Sequence, residues 1–390
     1  MLSREELFNR ARELLPAIRD RAPATEALRR IPDETIADLR NAGLLRIANP
    51  QRYGGYGLEP DVLFDIAMEL ASACSSTGWC FCVVLIHNWM IGQWPEQLQE
   101  EYFATDPDTL ASSSFGPRGR LESAPGGFRL SGRWDFSSGC DAASWALLGA
   151  MSDEGPFWVM VPRADYAIVD TWFVSGLQGS GSKDIQVDDA FVPRHRVIKL
   201  PKLHERIGDG WGLHGRSSYR LPIFSMLSQA IPTPLVGMAQ GAVNEFVASL
   251  SGKKGPGRTA DSVALQLRLA ESSAEVDTAR ILIRHNVAEM LERAQRGDYE
   301  LSELDMIRYR RDGAFAVRLC VQATGRLFEA SGGGGIYTSK AIQRFFRDIN
   351  AASHHTSLYW DFIAEQYGRG LLGQAMAMTS ASARPAGPDK

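Results

Sequence analysis

The chain has 390 residues, 44% of them hydrophobic and 23% charged, with a net charge of −4. Such a length calls for two or three packed regions rather than one core, and a mildly acidic balance without a basic stripe excludes nucleic-acid binding as an expectation. No run of eighteen apolar residues occurs, so no membrane-spanning helix is expected, and the five cysteines (Cys74, Cys80, Cys82, Cys140, Cys320) lack paired spacing, as suits buried free thiols in a reducing cytoplasm.

The chain opens on "SREELFNRARELLPAIRDRA", an amphipathic helix with Ser3 and Glu6 spaced as a capping box, and not on a signal peptide. "IPDETIADLRNAGLL" predicts a second helix, capped by Asp33 and stopped at Gly43. Turn chemistry follows in "NPQRYGGYGLEP". The next stretch, residues 61–95, is helical, apolar almost all round and therefore buried, with a break near Ser75–Gly78 and a stop at Pro95. Near residue 110 the texture changes to short β-branched and aromatic runs such as "GGFRLSGRWDFSSGC", "FWVMVP" and "KDIQVDDAFVP", separated by Gly, Asp and Ser. That spacing predicts a small antiparallel sheet or barrel. Helical periodicity returns from about residue 220 and continues through a last helical pair over residues 338–375. The expected organisation is α+β: an N-terminal helical domain (1–110), a middle antiparallel β domain (111–215), a C-terminal four-helix bundle (216–376) and a disordered tail (377–390). Strands do not alternate with helices, which argues against a dinucleotide-binding sheet.

This order, together with "IPDETIADLRNAGLL", "RYGGYG", "GFRLSGRWDFSSGCDAASWALLGA", "GLQGSGSKDIQVDDAFVP" and "GGGGIYTSKAIQRFFRDI", resembles the acyl-CoA dehydrogenase superfamily over roughly residues 25–373. The resemblance implies a flavin between the β domain and the C-terminal bundle. Dehydrogenases of that superfamily need a carboxylate base, nine residues after the Arg of an Arg-Asp pair or on the first bundle helix. Here the first position, counted from Arg347, is Thr356, and no Asp or Glu stands between Asp209 and Glu245. A sister group replaces the carboxylate by a histidine followed by Trp-Asp and Gly-Arg-x-Leu-Leu-Gly. His355, Trp360–Asp361 and "GRGLLG" match that pattern. The chain thus resembles the oxygenase components of two-component flavin-dependent monooxygenases, such as the hydroxylases of p-hydroxyphenylacetate and of a seco-steroid phenol. The resemblance implies reduced flavin (FMN or FAD) and O2 as cofactors, a C4a-hydroperoxide, a small phenolic substrate, an NAD(P)H-dependent flavin reductase as partner, a homotetramer and a cytoplasmic location. An N- or S-oxygenase, an acyl-CoA dehydrogenase-like flavoenzyme and a scaffold that has lost its cofactor are the alternatives.

The residues that would carry the chemistry follow from the same resemblance. His355 is the expected catalytic imidazole, acting on either the substrate or the peroxide. His354 beside it cannot aim at the same atom if the segment is helical, since a helix turns about 100° per residue. Ser137 and Ser138 are two candidates for one hydroxyl beside flavin N5. Ser113 and Phe115 sit where a loop would read the flavin ring. Trp134 is a candidate flavin neighbour, Arg258 a candidate pyrophosphate contact, and Gly333 and Gly334 lie in a glycine-rich loop at a cofactor edge. Trp79 and His87, which share one helix, and His354 are candidates for the substrate pocket. No spacing suits a metal site.

Overall fold

The computed structural model describes residues 2–104, 106–201, 205–206, 208–251 and 261–376. The calls on Arg258 and on the tail 377–390 therefore lie outside the described residues. Helix α1 (Arg4–Leu28) begins with the expected capping box between Ser3 and Glu6. Helix α2 (Asp33–Asn41) is capped by Pro32, so Asp33 is its first residue rather than its cap. The long apolar stretch forms α3 (Pro60–Ala73) and α4 (Ser75–Ile91), which meet at Cys74, one residue ahead of the expected break. Every residue of α4 is buried, as an all-round apolar helix requires. Helix α5 (Glu96–Phe103) closes this region.

Seven strands follow: β1 (Ala111–Ala124), β2 (Gly127–Ser137), β3 (Trp145–Ser152), β4 (Gly155–Pro162), β5 (Ala167–Val169), β6 (Lys183–Pro193) and β7 (Val197–Lys199), in the order β5-β6-β2-β1-β3-β4-β7. The expected antiparallel pairing holds except between β1 and β3, which are parallel. The β1–β2 hairpin occupies one side of β1, so β3 must cross to the other side through residues 138–144. That short crossover lies at the sheet end facing α4. Strand β3 is buried on both faces. Trp145 and Leu147 join the large helical core, whereas Ala146, Leu148 and Ala150 join a second core shared with Trp134, Val159 and Ile185.

After Ile223–Ala230 (α6), helices α7 (Thr233–Ser251), α8 (Val263–Gln295), α9 (Glu303–Ala330) and α10 (Ala341–Ser353) pack mutually as a bundle, and α11 (Trp360–Leu371) lies on α9. The helical pair expected over residues 338–375 is present, but His354 and His355 lie between its two helices rather than on one of them. Helix α10 ends at Ser353, a 3-10 turn occupies Thr356–Leu358, and α11 restarts at Trp360. His354 and His355 therefore lie in a connection, and a helical wheel does not describe their directions.

Trp134 is fully buried in the second core and donates its indole N–H to Gly149 O at 2.6 Å. With no exposed surface it packs the β domain instead of lining a cleft, contrary to its expected place beside a flavin. Trp134→Phe is expected to lower stability by about 1–3 kcal/mol through lost volume and a lost buried hydrogen bond. Flavin affinity should stay the same. Urea denaturation alongside flavin titration checks both.

Candidate active site

Five segments converge at one end of the sheet: one face of α4, the start of β1, the crossover after β2, the turn over residues 175–182, and the connection between α10 and α11. On α4, Trp79, Val83 and His87 recur every four residues, which places them along one face over about 12 Å. The crossover presses against that face. A Cβ at Gly139, which sits at φ +72°, would stand 3.0 Å from Val84 Cγ2 and 3.7 Å from Cys80 Sγ. The turn is joined to the crossover by Gly139 N–H donating to Ser180 O (2.9 Å), Cys140 Sγ to Gly181 O (3.4 Å) and Lys183 Nζ to Asp141 (2.8 Å).

Helix α10 grips the same turn from the other side. Arg347 donates to Ser175 O at 2.7 Å, and Leu177 N–H donates to Asp348 Oδ1 at 2.7 Å. Gly176 lies so close to the Arg347 carbonyl that a Cβ there would stand 2.2 Å from it. Leu177 is held in the left-handed region at φ 53°. Burial pushes the Asp348 carboxyl up to about 6, against the opposing pull of the Leu177 hydrogen bond.

The two expected serines separate cleanly. Ser137 is fully buried and donates to Ser112 Oγ at 2.9 Å, inside the sheet. Ser138 is half-buried in the crossover, accepts the Trp79 indole N–H at 3.1 Å and shares a hydrogen bond with Ser182 Oγ at 2.7 Å. The Trp79 ring in turn lies 6.0 Å from the His355 ring. Ser138, Trp79 and His355 are thus brought together, and Ser137 is not.

The two imidazoles at the ends of the α4 face are fixed in opposite tautomers. His87 is buried, and its Nδ1 lies 2.7 Å from Ala111 O; a carbonyl only accepts, so Nδ1 carries the proton and Nε2 is bare. His355 Nδ1 accepts the Ser357 N–H at 3.2 Å, so in the neutral ring Nε2 carries the proton. Desolvation lowers both rings to about 4, which keeps them neutral near pH 7. His354 is exposed, and its Nδ1 is tied back to Asn350 O at 2.6 Å on its own helix. It does not join the cluster.

At the start of β1, pairing with β3 lapses between Ser114 and Gly119, and pairing with β2 runs only over Arg120–Ala124. The intervening backbone, next to half-buried Ser113 and Phe115, is available as an edge of donors and acceptors. Phe115 stands edge-on to His87 at 5.7 Å and packs on Trp158 at 4.9 Å. Trp158 and Phe224 extend this aromatic wall, and the buried Trp158 indole N–H has no partner among the described residues. Phe136, at φ 60° and 55% exposed, stands edge-on to Trp172 beside the crossover. Such an outlier in a bulky residue marks a functional candidate. Gly333 and Gly334 are exposed in a 3-10 turn, with open space where a side chain would stand.

Sequence reasoning missed Phe136, Trp158, Ser180, Ser182 and Asp348. Only the polar "GLQGSGSKD" run hinted at the serines. The arrangement suits a flat, partly polar ring system: an open backbone edge, a hydroxyl with a lone pair to spare, a glycine-rich surface and flanking aromatics. No cluster able to hold a metal ion is present among the described residues, nor is any helix long and apolar enough to cross a membrane.

Comparison with known proteins agrees with this geometry. The family models "Acyl-CoA dehydrogenase, N-terminal domain" and "Acyl-CoA dehydrogenase, C-terminal domain" match residues 4–105 and 229–360. The oxygenase subunit HsaA of a flavin-dependent monooxygenase from Mycobacterium tuberculosis is 36% identical, over 88% of this chain and 89% of its own. The oxygenase component of an FADH2-dependent resorcinol hydroxylase from Rhizobium sp. is 35% identical, over 94% of each. Among solved structures, the 3-HSA hydroxylase from Rhodococcus sp. RHA1 superposes with a TM-score of 0.92 at 34% identity, covering 96% of this chain and 99% of that one. XiaF from Streptomyces sp., solved with FADH2 and glycerol, gives 0.86 at 25% identity, covering 96% of each chain.

The neutral histidines carry a pH signature. A ring whose folded pKa is about 4 binds fewer protons in the folded than in the unfolded state between about pH 4 and 6.5. Stability contributed by His87 and His355 is therefore present above about pH 6.5 and is lost as pH falls toward 4. Asp348, raised to about 6, acts in the opposite sense between about pH 4 and 6. Thermal denaturation from pH 7 to 4.5 should show a shallower loss for His87→Gln than for the unaltered chain.

Proposed function

Because the chain belongs to the flavin-dependent monooxygenases of the acyl-CoA dehydrogenase fold, as an oxygenase component, we propose that it hydroxylates a small phenolic substrate with reduced flavin, FMN or FAD, and O2. An NAD(P)H-dependent reductase delivers the flavin. When bound, reduced flavin supplies the two electrons needed to activate O2. The supporting observation is the pair of neutral imidazoles of opposite tautomer, buried His87 and half-buried His355, on one aromatic-walled face. The absence of a carboxylate from both dehydrogenase base positions points the same way.

His87 Nε2, a bare acceptor fixed by the Ala111 carbonyl, receives the phenol hydroxyl. His355 holds a proton at Nε2 and offers it as a hydrogen bond to oxygen. A ring lowered to about 4 is a weak base, so the donor role suits it better than removal of the phenol proton. Ser138, rather than Ser137, faces flavin N5, since Ser137 is sealed against Ser112. The open edge near Ser113 and Phe115 meets the flavin ring, and Trp79 closes the wall between Ser138 and His355. Phe115, Trp158 and Phe224 exclude water from the substrate side.

Assembly is proposed to be homotetrameric. A groove of about 600 Å³ crosses α8, α9 and α11, lined in part by Ile281, Phe315 and Trp360, and Ile281 and Leu267 are 69% and 66% exposed. A single chain leaves an apolar face of this kind to a partner. Ile281→Asp is expected to shift the species seen by light scattering toward monomer.

The function is tested by mixing the protein with chemically reduced FMN or FAD, a phenol and oxygenated buffer, without a reductase. Hydroxylated product is expected. Anaerobic reduction of bound flavin by an acyl-CoA thioester, with no hydroxylation, would overturn the reading. His355→Ala should leave flavin affinity unchanged and slow hydroxylation on the order of 10²-fold. An unaltered rate and product yield would remove His355 from the mechanism.

A further inference from the structure

The serines behind Ser138 form a chain with only one possible direction. Ser180 Oγ lies 2.8 Å from Leu177 O, and a carbonyl only accepts, so the single Ser180 proton is committed there. In the 2.8 Å contact between Ser180 and Ser182, Ser182 must then donate. Its proton is spent in turn, so in the 2.7 Å contact between Ser182 and Ser138 the donor is Ser138. Ser138 also accepts the Trp79 indole N–H. Its proton and one lone pair are occupied, and what it presents to the cleft is the second lone pair.

The direction is held at its source. The Leu177 carbonyl also accepts the Trp172 indole N–H at 3.0 Å, and Leu177 N–H is bound by Asp348. Ser180 and Ser182 are 1% and 4% exposed, so solvent does not compete for their protons. Any group facing Ser138 from the cleft must therefore bring a proton of its own.

We propose that Ser180 and Ser182 are positioning residues that polarise Ser138 as a hydrogen-bond acceptor, and thereby make the site select reduced over oxidised flavin. The proposal rests on the reading above that Ser138 faces flavin N5. Reduced flavin carries a hydrogen on N5 and can donate to Ser138. Oxidised flavin has a bare N5 and meets it lone pair to lone pair. Without Ser182, the Ser138 proton loses its acceptor and can turn toward a bare N5. Without Ser180, Ser182 can turn its proton onto Ser138, with the same result.

The experiment measures dissociation constants of oxidised and, anaerobically, reduced FMN and FAD for the unaltered protein and for Ser138→Ala, Ser180→Ala and Ser182→Ala. The unaltered protein should bind the reduced form more tightly. Both Ser180→Ala and Ser182→Ala should cut the oxidised-to-reduced ratio of dissociation constants by roughly 2- to 10-fold. Ser182→Thr, which keeps the hydroxyl, should restore the ratio. If Ser182→Ala does not fold, Ser180→Ala carries the same test. A fall in the ratio for Ser138→Ala with none for Ser180→Ala and Ser182→Ala overturns the relay and leaves the monooxygenase reading standing. No fall for Ser138→Ala overturns the placement of Ser138 at N5, and the proposal with it.

Discussion

The hydrogen bond from Leu177 N–H to the buried Asp348 carboxyl is the constraint on which the site depends. It joins the turn before β6 to helix α10, two parts of the chain 171 residues apart. A carboxylate without solvent is costly unless its oxygens are bonded, and this one has been pushed up to about 6 by burial. The contact persists because its surroundings leave no slack. Gly176 touches the Arg347 carbonyl, Arg347 returns a bond to Ser175, and Glu26 from α1 binds Arg347 at 2.5 Å and Arg344 at 3.1 Å. Three regions of the molecule are thus tied at the turn that supports Ser138.

A second consequence concerns dryness. Helix α4 lies between the β domain and the bundle, so it can offer polar atoms only where neighbouring elements satisfy them. His87 is satisfied by Ala111 of β1, and Trp79 by Ser138 of the crossover. Each bond commits one proton, and so fixes the sign of the polar atom left over, His87 Nε2 in one case and a Ser138 lone pair in the other. Hydrogen-bond direction is therefore set by the fold before any ligand arrives, which is the preorganisation that oxygen chemistry in a water-poor cleft requires.

Much of this was legible from residue patterns. The α–β–α order, the capping box at Ser3 and Glu6, the buried all-apolar character of α4 and the approximate break near Cys74 followed from periodicity and cap chemistry alone. The parallel β1–β3 pairing did not, because strand pattern carries no information on which side of a hairpin the next strand lands. His355 was reached through spacing to Trp360 and Asp361, but the non-helical connection that holds it was not, because Ser353 ends the helix and a 3-10 turn begins at Thr356. Ser137 and Ser138 were inseparable in sequence. The register shift between Trp134 and Ser137, with Phe136 turned to φ 60°, decides which one leaves the sheet. Ser182 and Asp348 were silent because their partners Ser138 and Leu177 lie 44 and 171 residues away, and Ser180 because its local bonds to Leu177 and Ser182 matter only through those contacts.

The 3-10 turn after α10 also bears on how far this chain stands from its dehydrogenase cousins. Thr356 occupies the position where those enzymes carry their base, yet it begins that turn and its side chain is exposed. A carboxylate installed there would be solvated, with the pKa of an ordinary surface acid and no means of abstracting a proton near neutrality. At this position the exposed 3-10 turn counts against a buried base as much as the residue type does, and a Thr356→Glu substitution alone would not supply one.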